Sequence, residues 1–343
     1  MHLRKSILAF LALASLSAYA EFKALPDSPP IPANNPQTPQ KIELGKMLWF
    51  DPRLSHDGTI SCNTCHNVMM HGGDGRPVGV GVQGKRGGRG SPTVWNSAYL
   101  TVQFWDGRAA SLEEQALGPM TNPVEMGMMT HDIVMGRIKS IPGYVEAFRK
   151  VFPKDKHPTI LNATKAIAAY ERTLITPNSP FDKYMKGNKK AMTVQQIRGM
   201  KLVDEIGCTS CHTGENFAGE GFKMGEGHYQ PFPQIPGSKY DQMYDLTSDL
   251  GRYDVTKKDD DKNHWRVPTW RNIALTAPYF HNGKVKTLDE AVRVMAKTQL
   301  DMDLKDTQVQ DIVAFLNALT GEFPVQTMPM IPNTLNDTLT PEY

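Results

Sequence analysis

Apolar positions recur with a helical period in several stretches of the chain. From Lys41, the positions Ile42, Leu44, Met47 and Leu48 predict a short amphipathic helix. A second helix is predicted at 160–175, where Ile160, Ala163, Ile167, Tyr170 and Leu174 fall on one face. A third runs from about Thr193 to Ile206. Another is expected at 288–297, opened by Thr287 and Glu290 in capping-box spacing. The last begins at Thr307 with Gln310 three residues on, turns Val309, Ile312, Val313, Leu316 and Leu319 inward, and stops at Gly321. Other stretches lack a period. Residues 21–40 are rich in Pro, Ala and Asn and read as an extended lead-in. Gly72 to Gly90 is glycine-dense, a composition suited to a mobile loop or to a backbone that passes close to a ligand. Pro177 to Lys190 is the candidate domain boundary, and the proline-rich tail from Pro324 is expected to lie over the surface.

The first twenty residues follow a different rule. Arg4 and Lys5 precede an apolar run from Ile7 to Leu16, and Ala18-Tyr19-Ala20 follows, the layout of a secretory signal peptide cleaved after Ala20. The run is shorter than the roughly 20 residues a membrane-spanning helix needs, and no later segment comes closer. An exported protein without a membrane span, in the periplasm, is therefore expected. With 343 residues and 40% hydrophobic content the chain can fill about two cores. The formal net charge of +2 comes with no Lys/Arg-rich face or binding motif, so nucleic acid is not an expected partner.

Four cysteines in an exported chain would ordinarily suggest two disulfides. Their spacing overrides that default, because all four lie in two copies of C-x-x-C-H: Cys62-Asn63-Thr64-Cys65-His66 and Cys208-Thr209-Ser210-Cys211-His212. One copy alone could be an accident, part of a zinc site or a thiol redox pair. Two copies behind a leader, with no spare cysteine, read as two attachment sites for haem c. The thiols would bond to the porphyrin vinyl groups, and His66 and His212 would be proximal iron ligands. Helix, haem motif, loop, ligand helix and C-terminal helix follow one another in the order of a cytochrome c. The fold expected is mainly α, with two tandem cytochrome c-like haem domains over 21–185 and 186–343 and long irregular loops around the cofactors.

Two haems alone could make an electron carrier. Beyond the second haem motif the chain reads W-R-V-P-T-W-R-N-I-A-L-T-A-P-Y-F-H-N-G and then L-D-E-A-V-R-V-M. The first half holds F-W-D-G-R-A-A-S-L-E-E-Q and P-V-E-M-G. These blocks, from about Leu44 to Gly321, resemble the bacterial dihaem cytochrome c peroxidases in order and spacing. The resemblance implies an enzyme that reduces hydrogen peroxide with electrons from a small donor protein, a cytochrome c or a cupredoxin, and leaves a homodimer open. It implies Met295 as distal ligand of the second haem. By periodicity alone Met295 would be core filler like most of the 18 methionines, although His/Met ligation does suit a haem that collects electrons. His281 matches a residue the family keeps beside the second haem; otherwise it reads as a packed, hydrogen-bonded histidine. Glu125 and Gln115 match the distal pocket of the peroxide-binding haem, as acid/base and hydrogen-bonding positioner. O–O cleavage needs a group that moves a proton between the peroxide oxygens; without the resemblance, Glu125 reads as a helix-start carboxylate. Trp105 matches the tryptophan between the haems, a relay or good packing.

The chain departs from the family at two places. Many members cap the resting first haem with a loop histidine, and that position here is Val82, which cannot ligate iron. His71, five residues past His66, would have to reach the opposite haem face at about 3.3–3.6 Å per residue. The resemblance also implies a calcium site between the haems using a side-chain amide, whose place is taken by Gly90. The carbonyls of Thr276 and Pro278 would then hold a weakened site. Two other readings stand beside the peroxidase. One is a dihaem enzyme that oxidises protein side chains, which carries tyrosine where Met295 stands. The other is a dihaem electron carrier without catalysis.

Overall fold

The computed structural model describes residues 22–334, so the leader predicted over 1–20 lies outside the described residues. The helices of the first half are α1 (Pro39–Phe50), α2 (Cys62–Cys65), α3 (Leu112–Gln115), α4 (Leu117–Thr121), α5 (His131–Lys139), α6 (Pro142–Val151) and α7 (Ile160–Glu171). Those of the second are α8 (Pro180–Met185), α9 (Val194–Glu205), α10 (Lys239–Met243), α11 (Tyr253–Thr256), α12 (Leu288–Leu300) and α13 (Asp306–Asn317). The strands β1 (Tyr229–Pro231) and β2 (His264–Arg266) pair antiparallel, with Tyr229 opposite Arg266. The five helices predicted from periodicity all form. Helix α13 starts one residue early, its entry held by the Lys305 amide donating to the Gln308 side-chain oxygen at 2.9 Å rather than by Thr307 and Gln310. Helices α5 and α6 were not predicted. Their apolar residues Val134, Met135, Ile138, Tyr144 and Phe148 are nonetheless buried.

Each half is built on one helix crossing. In the first, α1 packs across α7 with Gly45 at the contact, where a Cβ would lie 1.8 Å from the carbonyl oxygen of Ala166. In the second, α9 packs across α13 with Gly199 at the contact, 1.8 Å from the carbonyl oxygen of Asp311. Only a hydrogen at these positions lets the backbones touch. One core gathers Leu44, Leu48, Ile167 and Tyr170 around the first crossing. A second gathers Val203, Phe217, Ile312 and Phe315 around the other.

A longer internal repeat follows each haem motif. Pro92-Thr93-Val94-Trp95-Asn96 and Pro268-Thr269-Trp270-Arg271-Asn272 occupy equivalent places, and both asparagines adopt the left-handed conformation, φ 64° and 59°. Both donate from Nδ2 to the Thr176 hydroxyl, at 2.8 and 2.9 Å, which pins the two halves at one buried point. At the same offset Gln103 pairs with Ala109 and Tyr279 with Val285. Trp105 and His281 therefore stand in equivalent positions.

The ends of the described chain are exchanged. The lead-in contributes more than extended chain, since Phe22 packs on Phe181, Phe217 and Phe315 of the second core and the Leu25 amide donates to Asp182 at 2.8 Å. The tail lies over the first half, where Phe323 meets Trp95 edge-on at 4.9 Å and Gln326 accepts from the Tyr170 hydroxyl at 3.0 Å. Phe181, Tyr184 and Met185 pack into the second core, so α8 sits with the second half.

The crossing generates a prediction with an internal control. Gly199→Ala must push α9 from α13 and should destabilise the holoprotein by at least about 2 kcal/mol, the scale of core overpacking. Gly136→Ala in α5 meets nothing within 4 Å and should stabilise by about 0.5–1 kcal/mol through helix propensity. Equal unfolding midpoints for the two variants in urea would show that the backbone contact is not what holds the crossing.

Candidate functional site

The first C-x-x-C-H motif forms the single turn α2, whose entry is fixed by the Thr64 hydroxyl accepting from the Ser61 amide at 3.0 Å. His66 follows, and its Nδ1 donates to the Pro92 carbonyl at 2.9 Å. The second motif is a tight 3-10 turn over Cys208–Ser210, and His212 donates from Nδ1 to the Phe217 carbonyl at 3.0 Å. A carbonyl can only accept, so in both rings the proton sits on Nδ1 and the Nε2 lone pair is left for a metal. Burial lowers the pKa of His66 and brings that of His212 down to about 4, which keeps both rings neutral. Trp270 stacks on His212 at 4.4 Å and fixes its plane. No disulfide joins any two of the four cysteines. Burial raises the Cys65 thiol to about 11 and the Cys208 thiol to about 12, and Cys62 also rises. Among the described residues no three His, Cys, Asp or Glu side chains converge to hold a metal ion.

Each motif opens on its own cavity. That of the first half, about 310 Å³, is lined by Cys62, Cys65 and His66 together with Gln115, Glu125 and Trp105. That of the second, about 210 Å³ and almost wholly apolar, is lined by Cys208, Cys211, His212, His281 and Met295, again with Trp105. Large cavities of this kind, each with two thiols and a neutral imidazole at its wall, fit a covalently held planar macrocycle. His281 is buried and stacks on Trp265 at 4.1 Å, but its Nε2 has no hydrogen-bond partner among the described residues. It is packed without being satisfied, and burial lowers its pKa to about 4.

Glu125 stands in the loop after α4. Asn122 donates to its Oε1 at 2.8 Å, and the Glu125 carbonyl accepts the Val82 amide at 2.9 Å. Gly81 makes that approach feasible, since a Cβ there would lie 2.3 Å from the carbonyl oxygens of Val124 and Glu125. Burial raises the pKa of Glu125, against smaller opposing effects of Arg108 and Asn122. The Arg108 guanidinium lies 3.4 Å over the Phe104 ring and bonds Asp106 at 2.9 Å. Val82 is buried in the first core and lies against Gly127, and it does not line the first cavity. Among the lining residues the one histidine is His66. His71 faces elsewhere.

His71 lines a smaller cavity of about 90 Å³ together with Gly90, Thr276 and Pro278, the residues expected at a calcium site. The Thr276 and Pro278 carbonyls accept no hydrogen bond among the described residues, while the Gly90 carbonyl already accepts the Trp105 Nε1–H at 2.8 Å and Arg76, Arg266 and Arg271 bring positive charge to the same space. Gly90 has another task. Its amide donates to the His281 carbonyl at 2.7 Å while its carbonyl receives Trp105, so one residue joins the two equivalent positions.

Two residues of this region escaped sequence reasoning. Glu171, at the end of α7, lines the first cavity with its Oε2 unpartnered, and burial raises it to about 8. In the sequence it continues the polar face of a helix. Arg89 bonds Asp106 at 2.6 Å and Asp249 at 2.7 and 2.8 Å, tying the glycine-rich loop to the second half. Nothing local distinguishes it from the other charges of that loop.

The chain shares 45% identity over 325 residues with cytochrome c551 peroxidase of Pseudomonas aeruginosa, covering 94% of this chain and 91% of that one. With cytochrome c551 peroxidase of Nitrosomonas europaea the identity is 43% over 315 residues, covering 90% and 88%. Among solved structures, a MauG-like protein associated with microbial copper homeostasis superposes with a TM-score of 0.76 at 28% identity, covering 87% of this chain and 95% of the other. The profile of the di-haem cytochrome c peroxidases matches residues 39–190, the segment that holds the first haem motif, Trp105, Gln115 and Glu125. Two C-x-x-C-H motifs on equivalent frames, and likeness to these relatives over nearly the whole length, place the chain in the di-haem cytochrome c peroxidase family, oxidoreductases with two covalently bound haem c groups.

Proposed function

We propose that this protein reduces hydrogen peroxide to water in the periplasm, at the first haem site and without prior reduction. Its electrons would come from a small cytochrome c or cupredoxin and enter through the second site. The observation that carries this reading is the first cavity, where a half-buried carboxyl, Glu125, shares the wall with Gln115 and His66 is the one histidine among the described lining residues. When bound, the haems supply the redox chemistry: an iron centre to which peroxide adds and two stores for electrons. The chain's own groups supply the rest. His66 and His212, each held by a carbonyl, keep a neutral nitrogen toward the metal. Glu125 takes the proton from the inner peroxide oxygen and returns it to the outer one, and Gln115 orients the substrate. Two electrons and two protons complete the conversion to two waters. Met295, in the apolar second cavity, serves as a thioether ligand that favours the reduced state. Trp105, which lines both cavities, links them. A methionine at 295 rather than a tyrosine favours this reading over side-chain oxidation, and an acid in the first cavity favours it over electron carriage.

Glu125→Gln should lower peroxide turnover by about 10²–10⁴-fold, the range for a positioned acid/base, with both haems retained. Because burial raises the Glu125 pKa, the acid limb of the wild-type profile should lie above the ordinary carboxyl value of 4.5 and vanish in the variant. Turnover of the variant near the wild-type level at saturating donor would remove Glu125 from the reaction.

Replacing Met295 with His should lower the potential of the second haem, because the thioether stabilises the ferrous state. An unchanged redox titration would take Met295 off the ligand list.

Val82 generates the most particular expectation. Fully oxidised protein mixed with stoichiometric peroxide in a stopped-flow spectrometer should change its absorption at once, with no electron supplied and little dependence on added calcium. If the change waits for one electron per protein, another residue caps the site. His71→Ala then tests the nearest histidine.

A further inference from the structure

Four arginines of this protein have guanidinium groups at the domain junction or deep in a core, and three have carboxylate partners. Arg172 pairs with Glu113 at 2.7 Å, Arg271 with Asp182 at 2.7 Å, and Arg89 with Asp106 and Asp249 at 2.6 and 2.7 Å. Arg266 is the exception. It is 5% exposed, and among the described residues no carboxylate lies within ion-pair distance of it. Its Nε donates to the Phe104 carbonyl at 3.0 Å and its Nη1 to the Val267 carbonyl at 3.1 Å, while Nη2 makes no hydrogen bond among the described residues. A guanidinium cannot shed its charge near neutral pH, and a buried charge without a counter-ion is strongly disfavoured. Burial lowers its pKa to about 10, and Tyr229 and Asp106 compensate only at a distance.

Arg266 also stands at a junction. It lines both the second haem cavity and the small cavity between the two sites, and it does not line the first. Its amide donates to the Trp105 carbonyl at 2.9 Å, so the residue holds Trp105 with its backbone while its side chain holds the peptide before it.

We propose that Arg266 is a built anion site for a propionate carboxylate of the second haem, at the edge facing the inter-haem cavity. The carboxylate supplies the counter-ion that the polypeptide withholds, and the planar fork of the guanidinium suits its two oxygens. The pair has two consequences. It fixes how the second macrocycle is rotated against Trp105, and it cancels a negative charge that would otherwise stabilise the ferric state. Arg266 is thus a positioning residue for the electron-accepting haem. The inference rests on haem attachment at the second motif and is independent of peroxide turnover.

The other charged groups around the site are already engaged or remote. Tyr229 faces it from β1, with the Arg252 guanidinium 4.0 Å over its ring. Asp106 is shared by Arg89 and Arg108, and Arg271 is spent on Asp182. Arg76 and His71 line the far part of the small cavity. None of them is a carboxylate free to replace the propionate.

The test is a spectroelectrochemical titration of both haems in the holoprotein between pH 5 and 9, for wild type, Arg266→Met and Arg266→Lys. In Arg266→Met the second haem should become at least tenfold harder to reduce at high pH, a 59 mV shift for one electron. The first haem should stay unchanged. The difference should shrink toward acid pH, because a propionate stripped of its partner takes up a proton there. Arg266→Lys should recover most of the shift. A second-haem potential equal in wild type and Arg266→Met across the range would overturn the assignment, and so would equal shifts of both haems. Should Arg266→Met fail to assemble, redox-difference infrared spectra of wild type and Arg266→Lys with propionate-labelled haem decide the matter. Ionised carboxylate bands that move with the substitution support the pair; a protonated propionate band in wild type at neutral pH refutes it.

Discussion

Everything in this molecule is hung on a contact between bare backbones. At Gly45 the α1 main chain touches α7, and at Gly199 the α9 main chain touches α13, each at a distance that no side chain would allow. The helix that crosses in this way leads into the cysteine turn, almost directly from α9, which ends at Glu205, and after eleven residues from α1, which ends at Phe50. Its closeness to the partner helix therefore sets where the thiols and the histidine emerge. Helices held a methyl group further apart would move the cavity wall as well as the core. Packed interiors pass such shifts on because they have few voids to absorb them.

Two equal frames then carry unequal sites. The repeat that begins at Pro92 and Pro268 puts Trp105 and His281 in the same structural position, one offering an indole N–H and the other an imidazole. The next helix diverges. In the first half it is the single turn α3, so the chain is free to double back through α4 and bring Gln115 and Glu125 to the cavity. In the second half it is the thirteen-residue α12, which walls the cavity with Ala291, Val292 and Met295. Helix length at one position thus separates a polar cavity, able to move protons, from an apolar one suited to holding an electron.

What the sequence disclosed follows from how local each signal was. The C-x-x-C-H motifs and the five periodic helices are short-range patterns, and the structure reproduces them to within a few residues. The apolar face of α5 is diluted by Gly136 and the flanking charges, whereas α6, with Pro142 in its first turn and Tyr144 and Phe148 buried one turn apart, carries a legible amphipathic pattern. The position of Glu125 at the first cavity depends on Val82 and Gly81, more than forty residues earlier, which no window along the chain contains. Phe22 in the second core and Phe323 on the first are longer-range still, because the lead-in and tail cross to opposite halves. Glu171 reads in the sequence as one more polar helix residue. Only the fold turns it inward.

The same reasoning separates the charges that hold the structure from those that await something. Asp106 accepts two arginines and, through its carbonyl, a third. Asp182 takes Arg271 and the Leu25 amide while capping α8 through Ser179. Each is saturated, and removing Asp182 would strand the buried Arg271, which costs several kcal/mol. The unsatisfied groups have a different distribution. Glu171 Oε2 and His281 Nε2 belong to residues that line the two haem cavities, and His71 Nδ1 to one that lines the space between them. Trp49, Ser97 and Trp265 add one such atom each at the same cavities, while those of Gln37, Asp74, Trp95, His228 and Asn263 lie off them. Six of the eleven unpartnered buried polar atoms among the described residues thus stand beside the spaces the cofactors would fill, where a polar atom that the polypeptide leaves unpaired has something else to meet.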